Sequence, residues 1–270
     1  MNPQPHLYVI VVHHGHKKVT QQTVTAWLKN TTPPREIIVV DNSRNYEPIQ
    51  NETVVRAGAN SGYAGGLNIG LGTLFTRRPD NTDLVICCNN DLLPLSSTLE
   101  RILKWYSQHN KTVVLGYRRG WFSILSGRSH LAPLPRRSQS VTGRSSYLHG
   151  ALFVLPWATF NSLKKLPDTY FLYWEDVLIS QRLRRLGHEL HIIPDLVSHH
   201  DDERNPSPDQ IFYLVRNGAR FMQEEIFPPA RLYWRLWNRL RLWYHCLMRH
   251  RLICGALRDA FLSKNGPRPL

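Results

Sequence analysis

Acidic residues are scarce in this 270-residue sequence, which carries 34 Lys and Arg against 20 Asp and Glu and a formal net charge of +14. None lies between Glu100 and Asp168, and residues 228–270 hold a single acid, Asp259. This surplus of positive charge indicates an anionic partner, which can be a nucleic acid, an anionic lipid or a phosphorylated substrate.

Long apolar runs and cysteines are scarce as well. No apolar stretch is long enough to cross a bilayer, and strand-like residues begin already at Leu7, so we expect no signal peptide. Two of the four cysteines, Cys87 and Cys88, are adjacent on a predicted strand. They would point to opposite faces, which suits neither a disulfide nor a zinc site. A reducing compartment, the cytoplasm, is therefore predicted.

Apolar strands alternate with helical patterns along the chain, which predicts an α/β fold with a mostly parallel central sheet flanked by helices. The predicted strands are 7–12, 36–40, 53–57, 84–88, 151–155 and 189–193, with 170–174 as a strand or extended segment. Helices are predicted over 19–28, after 60–68, from Ser96 or Ser97, and over 175–186. Residues 118–146 are predicted to form a long loop at the sheet edge, and residues from 206 onward to form two helices broken at Pro228.

Three short acidic motifs follow predicted strands: residues 41–43, 89–91 and 175–176. Ligands of open α/β sheets bind at the carboxyl ends of the strands, so we expect these motifs to meet at one edge. Carboxylates gathered in a basic chain indicate a metal held against a phosphate, together with a base. Each motif alone also fits a turn or, for 175–176, the preference of acids for helix N-termini.

Two further motifs have a functional and a structural interpretation. The glycine-rich segment 60–68 either approaches a phosphate or permits close packing of a helix on the sheet, and it is neither a P-loop nor a Rossmann fingerprint. His199 and His200 either supply a metal ligand or belong to a solvated loop.

Residues 231–251 combine aromatic side chains and arginines without any acid. Leu232, Leu236 and Leu240 recur at helical spacing beside a stripe of arginines, which is typical of an amphipathic helix lying in a membrane surface. The alternative is a helix packed on its own domain or in a dimer.

The order of the motifs, more than any one of them, resembles the family 2 glycosyltransferases. The segments that carry the resemblance are 39–43, 60–70, 88–91, 149–155, 171–177 and 182–187, within a similar region of roughly residues 7–217. Within the family, the pattern is most similar to bacterial rhamnosyltransferase-type enzymes of surface-polysaccharide assembly.

The resemblance implies a GT-A fold, with a catalytic domain over 1–205. Residues 206–270 are predicted, from their own pattern, to form a helical, basic and amphipathic region that associates with a membrane. The catalytic domain would comprise a nucleotide-sugar half over about 1–92 and an acceptor half over about 93–205. It also implies a site assembled from these three groups. The nucleotide-sugar would be bound by Val11, His13, Asp41, Asn60, Gly62, Tyr63, Gly65, Gly66, Asn68, Asn89 and Asn90. A Mg²⁺ or Mn²⁺ ion would be held by Asp91 with His200 or His199. The acceptor would be bound by His149, Gly150, Trp174 and Arg216.

Asp176 is implied as the catalytic base of an inverting transfer, with Glu175 supporting it. The sequence departs from the family pattern at Asn89, the first position of its Asp-x-Asp motif, and at Leu178, where a further acid is common. We expect dTDP-rhamnose as the donor, a lipid-linked or polysaccharide acceptor, and peripheral binding at the anionic inner face of the cell membrane. The alternatives are a basic nucleic-acid-binding protein and a catalytically inactive, glycosyltransferase-like scaffold; under the favoured hypothesis no nucleic acid is bound.

Overall fold

The computed structural model describes residues 4–109, 113–116, 143–144, 148–193, 195–200, 206–225 and 228–268. The strands are β1 (Leu7–His13), β2 (Glu36–Asp41), β3 (Thr53–Arg56), β4 (Leu84–Asn89), β5 (Leu92–Pro94), β6 (Val113–Gly116), β7 (Gly143–Arg144), β8 (Leu152–Pro156), β9 (Glu189–Ile192) and β10 (Val197–His200). The helices are α1 (Lys17–Leu28), α2 (Gly62–Arg77), α3 (Thr98–Gln108), α4 (Trp157–Leu163), α5 (Glu175–Arg185), α6 (Pro208–Glu224), α7 (Pro228–Leu247) and α8 (Arg251–Phe261).

Eight of these strands form one sheet in the order β3-β2-β1-β4-β8-β6-β9-β7. The four strands from β3 to β4 are parallel, β8 is antiparallel to both of its neighbours, and β6 is again parallel to β9. The predicted α/β fold with a mostly parallel central sheet is confirmed. The strands β5 and β10 form a separate antiparallel pair that the sequence did not predict.

Helices cover both faces of the sheet. Alternate residues of β1 point in opposite directions, and both sets are apolar and have to be buried. Val9 and Val11 pack with residues of α1 and α3, such as Trp27. Ile10 and Val12 pack with residues of α2 and α5, such as Leu67. The parallel strands are therefore apolar on both sides, as strands buried between two helical layers must be.

Two predicted segments differ from the structure near the sheet edge. Residues 170–174 form turns and bends rather than a strand, because Tyr173 and Trp174 both adopt left-handed backbone conformations. The glycine-rich segment 60–68 is mostly helix, since α2 begins at Gly62. The loop predicted over 118–146 lies almost wholly outside the described residues, apart from β7.

The described residues of the carboxyl-terminal region form three helices, α6, α7 and α8, where the sequence predicted two. Pro228 begins α7 instead of merely interrupting a helix. A disulfide between Cys246 and Cys254, with Cα atoms 5.4 Å apart, joins α7 to α8, and no pattern in the sequence predicted this pairing. Cys87 and Cys88 are free and buried, as expected.

None of the described helices combines the length and apolar content needed to cross a membrane.

Candidate active site

The carboxyl ends of the three central strands meet at one edge of the sheet. His13 lies opposite Asp41 in the β1–β2 register, and Val12 lies opposite Asn89 in the β1–β4 register. Because these strands are parallel and adjacent, the segments that follow them are brought together, as the motif pattern predicted.

Asp41 and His13 are fully buried and hold the turn after β2. The two carboxylate oxygens of Asp41 accept hydrogen bonds from the backbone N–H groups of Ser43 (3.1 Å) and Tyr46 (3.0 Å). The imidazole nitrogens of His13 bond to Thr20 Oγ1 (2.5 Å) and Asn45 Oδ1 (2.7 Å). Both side chains are thus engaged in shaping the loop beside the site, and their predicted contact with the donor stays a prediction.

The glycines of α2 allow the helix to approach its neighbours closely. A Cβ atom on Gly66 would lie 2.7 Å from the side chain of Val12 in β1. Gly62 has φ of +73°, and a Cβ atom there would lie 2.0 Å from the carbonyl oxygen of Phe171. The interpretation as close packing on the sheet is therefore confirmed for Gly66, whereas Gly62 approaches the backbone of Phe171, which lies outside the sheet. A role of these glycines toward phosphate stays a prediction.

The next three residues of the predicted donor site are Val11, Asn60 and Asn68. Val11 lies in the core, Asn60 Oδ1 accepts the Gly62 N–H at 3.0 Å, and the Asn68 side chain bonds to both backbone groups of Leu166.

Asn90 anchors the segment that carries Asp91. Its amide donates to the carbonyl oxygen of His14 (3.0 Å) and to Thr20 Oγ1 (3.1 Å). The β5–β10 pair then places His200 opposite Leu92. The small sheet that the sequence did not predict is thus what brings a distant histidine to the strand end.

Asp91 and His200 form the candidate metal site. Asp91 Oδ1 lies 3.6 Å from His200 Nε2, and the His200 ring makes an edge contact with the His149 ring at 5.5 Å between centroids. A carboxylate oxygen and an imidazole nitrogen this close can both reach one divalent cation, leaving its other positions to phosphate oxygens and water. His199 is the neighbouring residue on β10, and alternation along a strand directs it away from the face that His200 occupies.

A second group that could hold a cation lies at the opposite edge of the sheet. His6, Asp80 and Asp83 present ligand atoms within 4.8 Å of one another, but they stand at the amino-terminal ends of β1 and β4. The His6 Nε2 atom also bonds to Arg35 Nη1 at 2.8 Å. This group is therefore remote from the strand ends where the other candidate residues gather.

Glu175 and Asp176 begin α5 directly after the left-handed turn of Tyr173 and Trp174, whose φ angles are +63° and +71°. A non-glycine residue in this conformation costs roughly 1–2 kcal/mol. The turn therefore has to be held by its surroundings, and it sets the direction in which the two carboxyl groups leave the backbone.

Asp176 accepts two backbone hydrogen bonds, from Gly150 N–H to Oδ2 (3.0 Å) and from Val177 N–H to Oδ1 (2.8 Å). Burial raises the pKa of Asp176, and these amide donors partly oppose that rise. Burial also raises the pKa of Glu175, and the neighbouring charge of Asp176 raises it further. Glu175 Oε2 is buried without a hydrogen-bond partner among the described residues. Asp176 is therefore the member of the pair that ionises first.

His149 and Gly150 connect the two carboxylate groups. His149 contacts His200, which contacts Asp91, while the Gly150 N–H binds Asp176. Tyr63 of α2 secures this connection by donating from its hydroxyl to the Gly150 carbonyl at 2.6 Å. Asp91 and Asp176, 85 positions apart in the sequence, thus belong to one constellation. The motif pattern predicted that their segments meet at one edge, but not the contacts that join them.

Trp174 and Arg216, the other predicted acceptor residues, are both buried. The Trp174 indole N–H donates to the Leu214 carbonyl oxygen (3.1 Å). The Arg216 guanidinium donates to the Gly266 carbonyl oxygen (3.0 Å) and lies over the Tyr213 ring. In this structure it is Asn217, the next residue, that reaches the turn before Glu175, and the acceptor role of Arg216 stays a prediction.

A comparison with protein families identifies the family of this chain. The model of the family described as glycosyl transferase family 2 matches residues 8–154, more than half of the chain. The chain therefore belongs to glycosyl transferase family 2. Among curated proteins, none matches the sequence significantly.

Solved structures show the same fold. A mannosyltransferase from Pyrobaculum calidifontis, in complex with GDP-Man and Mn²⁺, is similar over 98% of this chain and 77% of its own, with 17% identity and a TM-score of 0.59. S. aureus TarS 1-349 is similar over 94% of this chain and 80% of its own, with 15% identity and a TM-score of 0.57. GalNAc-T7 with UDP, GalNAc and Mn²⁺ is similar over 86% of this chain and 52% of its own, with 14% identity and a TM-score of 0.56. The GT-A fold expected from the sequence is confirmed.

Proposed function

We propose that this glycosyltransferase moves a sugar from a nucleotide-diphosphate sugar to an acceptor hydroxyl group, with inversion at the anomeric carbon. The observation that carries the proposal is the continuous set of contacts from Asp91 through His200, His149 and Gly150 to Asp176. These contacts join a group that can hold a diphosphate–metal complex to a group that can remove a proton.

Asp176 is the base in this proposal. It takes the proton of the acceptor hydroxyl while the oxygen attacks the anomeric carbon from the face opposite the diphosphate, and the bond from that carbon to the diphosphate oxygen breaks. A base must be ionised to accept a proton, and Asp176 carries the charge of the pair because its oxygens accept two N–H bonds. One base without a protein nucleophile gives a single displacement, which inverts the configuration.

Asp91 and His200 are the residues that would hold Mg²⁺ or Mn²⁺. When bound, such an ion neutralises the negative charge that grows on the departing diphosphate. Two of the structurally similar glycosyltransferases were solved with Mn²⁺ and a nucleotide or nucleotide-sugar, which supports this part of the proposal.

The donor we propose is dTDP-rhamnose, on the basis of the motif order alone. The similar structures were solved with GDP-Man and with UDP, so the experiment must compare nucleotides. A panel of dTDP-, UDP- and GDP-sugars, tested by thermal shift with and without Mn²⁺, identifies the donor because a ligand of the folded state raises its stability. Product NMR then reports the anomeric configuration, and retention of configuration would contradict the proposed mechanism.

The acceptor we propose is a lipid-linked glycan presented at an anionic membrane surface. Helix α7 buries Trp234 and Asn238, while Leu232, Leu236, Leu240, Trp243 and Leu247 are all more than half exposed. Arginines flank this apolar stripe, and each basic residue near an anionic leaflet contributes about 1 kcal/mol to binding. Trp234 of this helix belongs to the same hydrophobic cluster as Trp174 and Val177, so α7 shares a core with the helix that carries the base.

A further inference from the structure

We propose that Asn217 is a positioning residue, which acts on the base through the backbone of the Tyr173–Trp174 turn. The inference rests on the proposed function, because it assigns how Asp176 is aimed. It starts from the two adjacent left-handed residues, a conformation that bulky side chains rarely adopt. Something outside the turn must hold them there.

Asn217 makes the bonds that hold the turn. Its Nδ2 donates to the carbonyl oxygen of Leu172 (2.7 Å) and to that of Tyr173 (3.2 Å). These are the peptide groups on either side of Tyr173, so the amide fixes their orientation. The side-chain amide is fully buried and needs such partners, since a buried donor without an acceptor is costly.

Neighbouring residues of α6 complete the support. Arg216 Nε donates to Asn217 Oδ1 (3.0 Å), which orients the amide with its nitrogen toward the turn. A Cβ atom on Gly218 would lie 2.7 Å from the Trp174 ring, so only glycine leaves room for the indole. Asn217 and Gly218 thus contact the turn that precedes Glu175 and Asp176, and Arg216 orients Asn217.

The variant Asn217→Asp removes the donor while keeping the size of the side chain and the oxygen that Arg216 binds. Asn238→Asp is a matched control, because Asn238 is equally buried and its oxygen also accepts a bond from an arginine, Arg241 (3.0 Å). Its Nδ2 has no hydrogen-bond partner among the described residues, so the control loses no donated bond.

We expect Asn217→Asp to lower kcat by about 10²-fold, the effect of misplacing a reacting group by roughly 1 Å, with the donor KM within about twofold of wild type. We expect Asn238→Asp to change kcat by less than about threefold. An Asn217→Asp enzyme that is folded and keeps kcat within threefold would overturn the proposal, as would an equal loss in the control.

A second-site rescue separates positioning from general damage. Glycine adopts positive φ without steric cost. The variant Tyr173→Gly should therefore depend less on the hydrogen bonds from Asn217 to keep the turn left-handed. We expect the loss of kcat caused by Asn217→Asp to be at least about threefold smaller in a Tyr173→Gly background than in wild type. An unchanged loss would contradict action through the turn. If Asn217→Asp does not fold, Asn217→Ser replaces it in the same comparison between the wild-type and Tyr173→Gly backgrounds.

A crystal structure of the Asn217 variant gives a readout that does not depend on activity. We expect Tyr173 and Trp174 to leave the left-handed region and the bond from Gly150 N–H to Asp176 to open. If wild-type protein transfers no sugar from any donor of the panel, the proposed function fails, and this structure alone decides the positioning. An unchanged turn in the variant would contradict the positioning role of Asn217.

Discussion

The two carboxylate groups of the candidate site are held in different ways. Asp91 follows a strand whose register against β1 fixes its place, and it lies beside the largely buried side chain of His200. Glu175 and Asp176 follow a turn that is held by Asn217, 45 positions beyond Leu172. On the proposed metal side, Asp91 directly follows a strand that the sequence predicts, and only His200 depends on the distant β5–β10 pair. On the side of the base, the direction of both carboxyl groups depends on packing of the turn against α6.

The largest effect is expected at the base. General-base assistance is worth about 10²–10⁴ in rate, so Asp176→Asn should lose at least 10²-fold in transfer while donor affinity is retained. Stopped assays measure the rate of transfer, and thermal shifts with the donor measure whether donor binding is retained. Asp195→Asn, which changes a largely exposed carboxylate, is the control. A folded Asp176→Asn enzyme with near-normal transfer would show that the base lies elsewhere.

At the proposed metal side, Asp91→Asn should remove the Mn²⁺-dependent part of nucleotide binding. A metal contributes several kcal/mol to charge stabilisation, so we expect nucleotide affinity in Mn²⁺ to fall by about 10²-fold. Isothermal titration with and without Mn²⁺ measures this. His200→Ala should weaken binding in the same way, and His199→Ala should not. Equal effects of the two histidine variants would contradict the placement of His200 in the site.

The sequence predicted the first of these sides better than the second. The continuous apolar runs of β1, β2 and β4 predict buried parallel strands, and parallel neighbours end at a common edge, so the sequence predicted that Asp41 and Asn89 lie together there. The β5–β10 pair was missed since its strands are only three and four residues long. The apolar and aromatic residues 170–174 predict a strand or extended segment, yet contacts with α6 override that preference. Nothing in the local pattern encodes such contacts.

A third prediction concerns the exposed apolar face of α7. Leu236→Ser with Leu240→Ser should weaken flotation with anionic liposomes at least about tenfold, since each partly inserted leucine contributes on the order of 1 kcal/mol. Leu186→Ser with Leu262→Ser is the matched control, because these leucines have the same exposures of 52% and 61%. Deleting the helices would be less informative, since α7 packs on the cluster that contains Trp174.

If flotation is equal in the two variants, α7 does not bind the membrane. Concentration-dependent dimers that are lost only in the α7 variant would instead indicate that a second copy of the chain covers this face.

The smallest effect is expected on the free energy of unfolding, through the buried pair of Glu175 and Asp176. A carboxyl group whose pKa is raised on folding binds protons more tightly in the folded state, so its contribution to stability is complete below the unfolded pKa and is lost as pH rises through the folded pKa. Glu175→Gln removes this loss. We expect it to stabilise the protein at pH 8 by about 1–3 kcal/mol and much less at pH 4, as measured by denaturant unfolding. Equal effects at both pH values would contradict a raised pKa for Glu175.

The same burial predicts the pH dependence of transfer. Because Asp176 must be ionised to act and burial raises its pKa, kcat/KM should fall on the acid side at a pH clearly above the ordinary value for Asp, about 3.9. Asp91→Asn should leave this acid-side fall of kcat/KM at the same pH, which distinguishes the base from the proposed metal ligand.

Anomalous diffraction from crystals grown with Mn²⁺ and the donor tests most directly whether the two sides serve one reaction. We expect a Mn²⁺ peak between Asp91 and His200, with the anomeric carbon of the sugar facing the Asp176 carboxylate. A peak at His6, Asp80 and Asp83 alone, or a sugar turned away from Asp176, would contradict the account.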